Sequence, residues 1–421
     1  MSAIAYLDRV NISIAGKAMA HDYHLDDVRL GWVFSAFVLG YALFQAPGGR
    51  LADRFGPRWI VTLGVLWWGV FTSLSAAVPV FGSALWVLIA VRFALGMGEA
   101  VVYPASNRLV AKWIPTQERG IANGLIFAGV GVGAGVASPL IRYVLQNYGW
   151  RWSFWVSALI GTLAGVVWYA LARDVPEEHP WVDREERALI EAGLPQAPEE
   201  HDTHRTLPWS SILKSRELAA MTLSYFAYGY AAYIFFSWFF IYLSSVRKLD
   251  LKSSSYYAML PFIAMAVCSP LGGWISDRLT ARYGKRIGRC GIAVVGIAGS
   301  AIFIALGTQV GSAQLASVVL AGGAGALYLS QSSFWSVTAD LAGSSAGSVS
   351  GIMNMGGQIG GAVTASVTPL IAEHYGWTAS FLAAAALCAL GSVAWLLVDP
   401  TRELEVVKGR PAPAVAKSVV R

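Results

Sequence analysis

Long blocks of apolar residues recur along the whole chain, and they restrict its fold more than any other feature. Stretches such as WIVTLGVLWWGVFTSLSAAVPVF and ALWVLIAVRFALGMGEAVVY contain about 20 residues each, enough to cross a bilayer core of about 30 Å as a helix. Of the 421 residues only 13% are charged, whereas soluble domains carry about 25%. A dozen such blocks cannot be buried in one soluble core, and they lack the alternation of membrane β-strands. The sequence therefore predicts an all-α polytopic membrane protein.

A single long polar stretch divides twelve candidate spans into two groups of six. The stretch RDVPEEHPWVDREERALIEAGLPQAPEEHDTHRTLPW is rich in charge and proline, as expected of a surface linker. We predict an N-terminal six-helix half (1–172), a cytoplasmic linker (173–217), a C-terminal six-helix half (218–399) and a cytoplasmic tail (400–421). The predicted spans are centred near Ile12, Leu39, Trp68, Ala94, Gly131, Leu163, Phe235, Met265, Gly296, Gly325, Gly360 and Leu390.

Basic residues are concentrated in one set of loops, which by the positive-inside rule is cytoplasmic. This set contains Arg50, Arg54, Arg58, the predicted linker and the basic tail. We therefore expect an inner-membrane protein with both termini in the cytoplasm. No cleavable signal peptide is predicted, because no charged leader precedes the first span. Asp8 has only about 10 Å of helix before it. The first helix is therefore either half-length or begins upstream of residue 1, and we prefer the second interpretation.

The two halves repeat one another in sequence. GGRLADRF (48–55) parallels GGWISDRL (272–279), and PLIRYVLQNYGWRWSF (139–154) parallels PLIAEHYGWTASF (369–381). The two matches occur in the same order and at nearly the same offset. A six-plus-six parallel repeat is typical of secondary transporters whose substrate site lies between the halves.

Several motifs resemble a known family. GGRLADRFGPR is similar to the signature between the second and third helices of the major facilitator superfamily. YLDRVNISIA, RFALGMGEAVVYPASNRLVAKWIP and YGWRWSFWV together resemble its anion:cation symporters, which include sugar-acid carriers. The resemblance covers essentially the whole chain. It implies an alternating-access carrier, and a monomer.

Four charged residues stand out within the apolar spans. Asp8 and Arg9 lie on the first helix, and Arg92 and Glu99 lie two turns apart on the fourth. A charge at the bilayer centre costs about 2.5–3.5 kcal/mol on insertion scales, so such residues usually have a partner and face a cavity. Structural ion pairs between helices are the alternative interpretation.

The functional interpretation assigns a role to each charge. The guanidinium of Arg9 offers a planar two-point contact for a substrate carboxylate. Asp8 and Glu99 are predicted proton carriers, because burial favours the neutral carboxyl and a neighbouring arginine favours the ionised one. Arg92 is the expected charge partner of Glu99. The resemblance implies the same assignment, since the matching positions of sugar-acid carriers bind carboxylate and couple protons.

Polar residues in other spans are candidates for the rest of a substrate cavity. We predict that it includes Tyr41, Gln45, Ser333, Asn354 and Gln358, and Tyr225, Tyr228, Tyr230 and Gln331 are further candidates. Hydroxyl and amide groups beside aromatic rings suit a hydroxylated acid. Ordinary packing or interhelical hydrogen bonding is the alternative for each.

Asp53 and its repeat Asp277 lie at cytoplasmic helix ends among basic residues. They are predicted gating residues, forming contacts between helices that hold one conformation. The three cysteines have no paired or metal-type spacing and are expected to be packing residues.

We therefore predict a proton-coupled secondary transporter that imports a small organic acid, such as an aldonate, uronate or aldarate. The alternative is an exchanger, facilitator or exporter, with tartrate and aromatic carboxylates such as phthalate as further candidate substrates. A membrane enzyme is disfavoured because the six histidines lie mostly in loops, and a sensor because the chain lacks a signalling domain. No catalytic residue, metal, cofactor or nucleic acid is expected; protons are the coupling ion.

Overall fold

The computed structural model describes residues 1–194 and 206–404, and within these ranges the regular secondary structure is entirely helical. The apolar runs form helices because, in a bilayer, only internal hydrogen bonds can satisfy the backbone. The spans of the first half are α1 (Ser2–Asp22), α2 (Asp27–Phe55), α3 (Pro57–Ala77), α4 and α5 in succession (Ala84–Glu99, Val102–Trp113), α6 (Arg119–Tyr148) and α7 (Trp150–Leu171).

Two short helices in the connection follow, and then the second half. The connection contains α8 (Arg184–Gly193) and α9 (Trp209–Leu213). The second half contains α10 and α11 (Arg216–Ser237, Phe239–Ile241), α12 (Leu251–Tyr283), α13 (Ile292–Gln309), α14 and α15 (Ala313–Leu329, Gln331–Ala342) and α16 (Ala346–Ala394). Single turns of other helix types extend some of these, including Tyr242–Val246 and Arg286–Gly291.

The helices make twelve membrane spans. In the described ranges, eight helical runs are long and apolar enough to cross a bilayer, and a bent pair, angled by 51° near Trp238, makes a ninth. The last of the eight, Ala313–Leu397, contains three spans, because the chain reverses near Gly343 and again at Gly376. The charged helix α1 supplies the remaining span.

The sequence repeat reappears as repeated turns. Gly149 and Gly376, each within a Tyr-Gly-Trp motif, have φ values of 89° and 86°. This backbone conformation is costly for residues with a side chain, so glycine is the residue that permits both turns. The sequence similarity between the halves therefore corresponds to the same chain reversal at equivalent places.

The halves meet closely at the end of the bundle that carries the loops after α2, α5, α12 and α15, which we call the basic end. Asp53, at the end of α2, accepts hydrogen bonds from the backbone N–H of Gly347 (2.9 Å) and Ser348 (2.7 Å) and from the Ser348 hydroxyl (2.6 Å). Arg108 lies 3.7 Å from the same carboxylate. Asp53 thus caps the first turn of α16, where unpaired N–H groups and the helix dipole favour an anion.

Asp277 makes the equivalent contact, from the second half to the first. It lies on α12 and accepts from the backbone N–H groups of Gly120 (2.9 Å) and Ile121 (2.6 Å) at the start of α6. Arg289 approaches the carboxylate of Asp277 to 2.6 Å. Each half therefore places one aspartate on a helix N-terminus of the other half.

The connection between the halves also crosses the basic end. The backbone N–H of Leu207 donates to the Ser345 hydroxyl at 2.8 Å, and its carbonyl accepts from the Arg50 guanidinium. Leu207 is buried, and the Arg50 guanidinium also lies over the ring of Trp209. One residue of the connection is thus bonded to the second half at Ser345 and to the first half at Arg50.

We expect that Asp53→Ala opens the basic end. Loss of a helix cap costs about 0.5–2 kcal/mol, and 1–2 kcal/mol shifts a two-state population by about 5–30-fold. Opening is measured by maleimide labelling of a cysteine that replaces Ala339, in a variant without the three native cysteines. Ala339 is buried beside Ala111 and Ala346 at this end. Labelling should accelerate several-fold.

The control for this experiment is Asp183→Ala, which removes a capping aspartate from the exposed helix α8. It should leave the labelling rate at position 339 unchanged. Equal rates in the Asp53 and Asp183 variants would show that Asp53 does not hold the basic end closed.

Candidate functional site

Arg9 and Glu99 form an ion pair in the interior of the bundle. Nε and Nη2 of Arg9 each lie 2.7 Å from Oε1 of Glu99. The side chain of Glu99 is 1% exposed and that of Arg9 is 16% exposed, so water screens the pair weakly. Oε2 of Glu99 is buried and has no hydrogen-bond partner among the described residues. The carboxylate therefore depends on Arg9 for its neutralisation.

Aromatic rings surround the guanidinium of Arg9. Its central carbon lies 4.3 Å from the ring centroid of Tyr41, 5.0 Å from that of Tyr6 and 5.4 Å from that of Phe37. Ring faces attract a cation, and more strongly where water is excluded. These rings hold the cation in place while leaving its hydrogen-bond donors available to a carboxylate.

Asp8 points to a different side of α1. Its Oδ2 accepts hydrogen bonds from Trp68 Nε1 and from the Thr72 hydroxyl at 3.1 Å, both on α3. Consecutive residues of a helix point about 100° apart, which is why Asp8 faces α3 while Arg9 faces the cavity. The second oxygen of Asp8 is buried and unpaired among the described residues. Asp8 still interacts electrostatically with Glu99 and Arg92.

Arg92, the expected charge partner of Glu99, makes no ion pair with it. It is buried, and its guanidinium lies 4.9 Å from the ring centroid of Phe37. No carboxylate of the described residues approaches it within the 4.0 Å of an ion pair, and the direct partner of Glu99 is Arg9. Two helical turns separate Arg92 from Glu99 by about 10 Å along one axis, which is too far for contact. Arg92 therefore interacts with both carboxylates only at longer range.

The ion pair borders a cavity between the two halves. From the first half the wall contains Tyr6, Arg9, Tyr41, Tyr103, Phe127 and Val130. The polar side chains that the second half contributes are Tyr225, Tyr228, Tyr233, Tyr328, Gln331, Asn354 and Gln358. The free volume is about 50 Å³, whereas small-molecule pockets usually measure about 300–1,000 Å³. The halves must therefore move apart before a ligand of ordinary size can enter.

Three of the five polar residues predicted for this cavity line it, namely Tyr41, Asn354 and Gln358. Gln45 lies behind the wall, where its Oε1 accepts a 2.8 Å hydrogen bond from Asn354 Nδ2 and so joins α2 to α16. Ser333 is fully buried outside the lining. The helix is interrupted at Ser330, and Gln331 takes the cavity-facing position, so Ser333, two residues later, points about 200° away.

Other tyrosines complete the wall, and four of them were not predicted. Tyr6 precedes Arg9 by three residues, Tyr103 follows Glu99 by four, and Tyr328 precedes Gln331 by three. For Tyr6 the three-residue spacing within α1 places it on the same helical face as Arg9, which was the available signal. The other two spacings cross the helix breaks after Glu99 and at Ser330, so helical periodicity does not carry over to them. Tyr233, the fourth, donates to Gln358 Oε1 at 2.9 Å. Tyr230, a candidate, instead lies with its hydroxyl 3.2 Å from that of Thr368.

The described residues contain no group of three or more His, Cys, Asp or Glu side chains that could hold a metal ion. The chemistry available at the cavity is that of one guanidinium, the buried carboxyl of Glu99 paired with it, and hydroxyl and amide groups. Such a set can bind an anion and exchange protons.

A double-mutant cycle tests the coupling of Arg9 and Glu99. Removing one partner of a buried ion pair leaves an uncompensated charge and costs about 3–5 kcal/mol, whereas removing both costs less than the sum. We expect Arg9→Met and Glu99→Gln each to lower the free energy of unfolding in detergent, with the double variant closer to the wild type than additivity predicts.

The matched control pair is Arg187 and Glu191, whose Nε–Oε1 contact is 2.8 Å but which lies exposed on α8. An exposed pair contributes about 0–1 kcal/mol, so its cycle should be nearly additive. Additive effects at Arg9 and Glu99 as well would mean that their contact is not energetically coupled.

Comparison with known sequences identifies the family. The model of the Major Facilitator Superfamily matches residues 1–365 and 279–421. A probable sulfoacetate transporter of Cupriavidus necator is 33% identical over 402 residues, covering 95% of this chain and 92% of that protein. A hexuronate transporter of Bacillus subtilis is 28% identical over 99% of this chain and 95% of its own. A chloroplastic ascorbate transporter of Arabidopsis thaliana is 31% identical over 93% and 71%.

Solved structures agree at the level of the fold. The proton:xylose symporter XylE superposes with a TM-score of 0.68 at 16% identity, covering 96% of this chain and 95% of that one. The fucose:proton symporter FucP of E. coli gives 0.65 at 15% identity, over 94% and 97%. The predicted twelve-span fold and the family resemblance are confirmed. The chain belongs to the Major Facilitator Superfamily, as one of its organic anion transporters, and is a carrier rather than an enzyme.

Proposed function

We propose that this transporter couples the import of a small hydroxylated organic acid to the import of a proton by alternating access. The observation that carries the proposal is the buried Arg9–Glu99 ion pair in the wall of a cavity between the halves. Relatives named for hexuronate and for galactarate/D-glucarate transport support a sugar acid as the substrate class.

The coupling follows from competition for Arg9. A substrate carboxylate that binds the guanidinium must displace the carboxylate of Glu99, because the rings of Tyr41, Tyr6 and Phe37 restrict the remaining approach. The displaced carboxylate is buried and unpaired, so it binds a proton. The substrate–Arg9 contact replaces the Glu99–Arg9 contact, and one proton enters with one carboxylate. Asp8, held by Trp68 and Thr72, is the second proposed proton carrier.

The conformational cycle uses the contacts at the basic end. With Asp53 and Asp277 on the helix N-termini, this end is closed, and we assign substrate entry to the opposite end, once the halves have moved apart there. Release of these contacts would open the cavity to the cytoplasm, and we assign both aspartates to gating. The proposal places the protein in the inner membrane with both termini cytoplasmic, as a monomer without a cofactor.

Proton movement into liposomes tests the proposal directly. Purified protein is reconstituted around a trapped pH dye, and sugar acids, tartrate, aromatic acids or neutral sugars are added outside. A sugar acid should acidify the interior, and a neutral sugar should not, because it lacks the carboxylate that displaces Glu99. Uptake of labelled acid without acidification would exclude proton symport and favour exchange or facilitated diffusion.

Glu99→Gln should separate coupling from binding. The amide cannot carry a proton, so we expect accumulation driven by a pH gradient to fall to background, while exchange of internal for external substrate continues. Glu217→Gln is the matched control, because Glu217 is a buried carboxylate near the basic end and distant from the cavity wall. Normal accumulation by the Glu99 variant would remove Glu99 from the proton path.

A further inference from the structure

The wall of the cavity is asymmetric in charge. Among the described lining residues, the sole side chain that is ionised at neutral pH is Arg9, from the first half, and its charge is already balanced by Glu99. The lining side chains of the second half are tyrosines, amides and apolar groups. The counter-charge for a substrate carboxylate therefore lies on the side of the cavity formed by the first half.

The hydrogen-bonding groups that the second half presents to the cavity can be assigned as donors or acceptors. The phenol oxygen of Tyr225 accepts from Gln331 Nε2 at 2.9 Å and from Trp335 Nε1 at 3.2 Å. These two donors occupy its lone pairs, so its own O–H is left as a donor. Gln331 Oε1 is a buried acceptor without a partner in the described residues.

A mixture of free donors and a free carbonyl acceptor matches an alcohol better than an anion. A substrate hydroxyl can accept from Tyr225 and donate to Gln331 Oε1, whereas a carboxylate or sulfonate has only acceptors and would face that carbonyl oxygen unfavourably. Leaving a site's buried polar group unpaired is a strong source of discrimination.

Arg92 does not supply a second positive charge to this wall. It lies over Phe37 in the first half and outside the cavity lining. Both Arg92 and Arg9 are on the side of the cavity opposite Tyr225 and Gln331, since the former belong to α4 and α1 and the latter to α10 and α15. A second anionic group at the far end of a substrate would be buried against neutral groups alone.

We infer that the cavity selects acids with one negative charge whose hydroxyl groups contact the second half. The preferred class is the polyhydroxylated monocarboxylate, and dianions such as aldarates or carboxylate–sulfonates are disfavoured. This inference rests on the proposed function, because it takes Arg9 as the carboxylate site. It narrows that function from organic acids in general to singly charged ones.

Matched ligand pairs test the inference on the unmodified protein. Gluconate and glucarate share four hydroxyl stereocentres and differ at C6, as do galactonate and galactarate. Binding is measured by calorimetry or by competition in proteoliposomes at pH 7, where every carboxyl is ionised. In the pair with the accepted stereochemistry, the monoanion should bind at least about tenfold more tightly, which corresponds to 1.4 kcal/mol.

The outcomes distinguish the two proposals. Equal or tighter binding of the dianion would overturn single-charge selection and leave organic acid transport intact. Absence of binding or transport for every acid would overturn both.

Two tyrosine variants test the role of the second half. Tyr225→Phe removes the O–H aimed at the substrate, and it should weaken monoanion binding about 5–30-fold. Tyr230→Phe removes a neighbouring hydroxyl that lies against Thr368, and it should have no effect. Equal effects of the two variants would show that the Tyr225 hydroxyl makes no substrate contact.

Discussion

The buried ion pair of Arg9 and Glu99 is the interaction on which the arrangement of the site depends. Either charge alone would be unstable in this interior. The ion pair can therefore be replaced by another electrically neutral pair of groups, but it cannot be broken without such a replacement. A substrate carboxylate on Arg9 and a proton on Glu99 form such a combination. The aromatic rings around Arg9 and the interruption of the fourth span after Glu99 position these groups beside the cavity.

The two halves are alike in their turns and end contacts but differ at the cavity. The equivalent glycine turns and the reciprocal capping by Asp53 and Asp277 follow the sequence repeat. At the cavity, the first half supplies the charges, and the second half supplies tyrosines and amides. The scaffold is therefore duplicated, while the groups that line the cavity differ between its two halves.

Much of this could be predicted from the sequence, because a bilayer makes apolar length and buried charge unusually informative. The twelve spans follow from the apolar blocks, and Asp8, Arg9, Arg92 and Glu99 stand out as charges within them. Which of these groups touch could not be predicted, since contact depends on how α1, packed against α6 and α7, faces α3 and α4. The partner of Glu99 was expected on its own helix and lies on another. Ser333 was misplaced for a local reason, because the interruption at Ser330 changes which residue of that span faces inward.

The hydrogen bonds of Leu207 link the connection between the halves to the two elements that meet at the basic end. Its N–H is tied to the loop before α16 and its carbonyl to α2, so separation of those two elements must release at least one of the bonds. The connection between the halves then holds these two elements together by hydrogen bonds, in addition to linking the halves covalently. Turnover would depend on a peptide unit that never meets the substrate, and a change in the connection alone could alter transport rate while affinity stays constant.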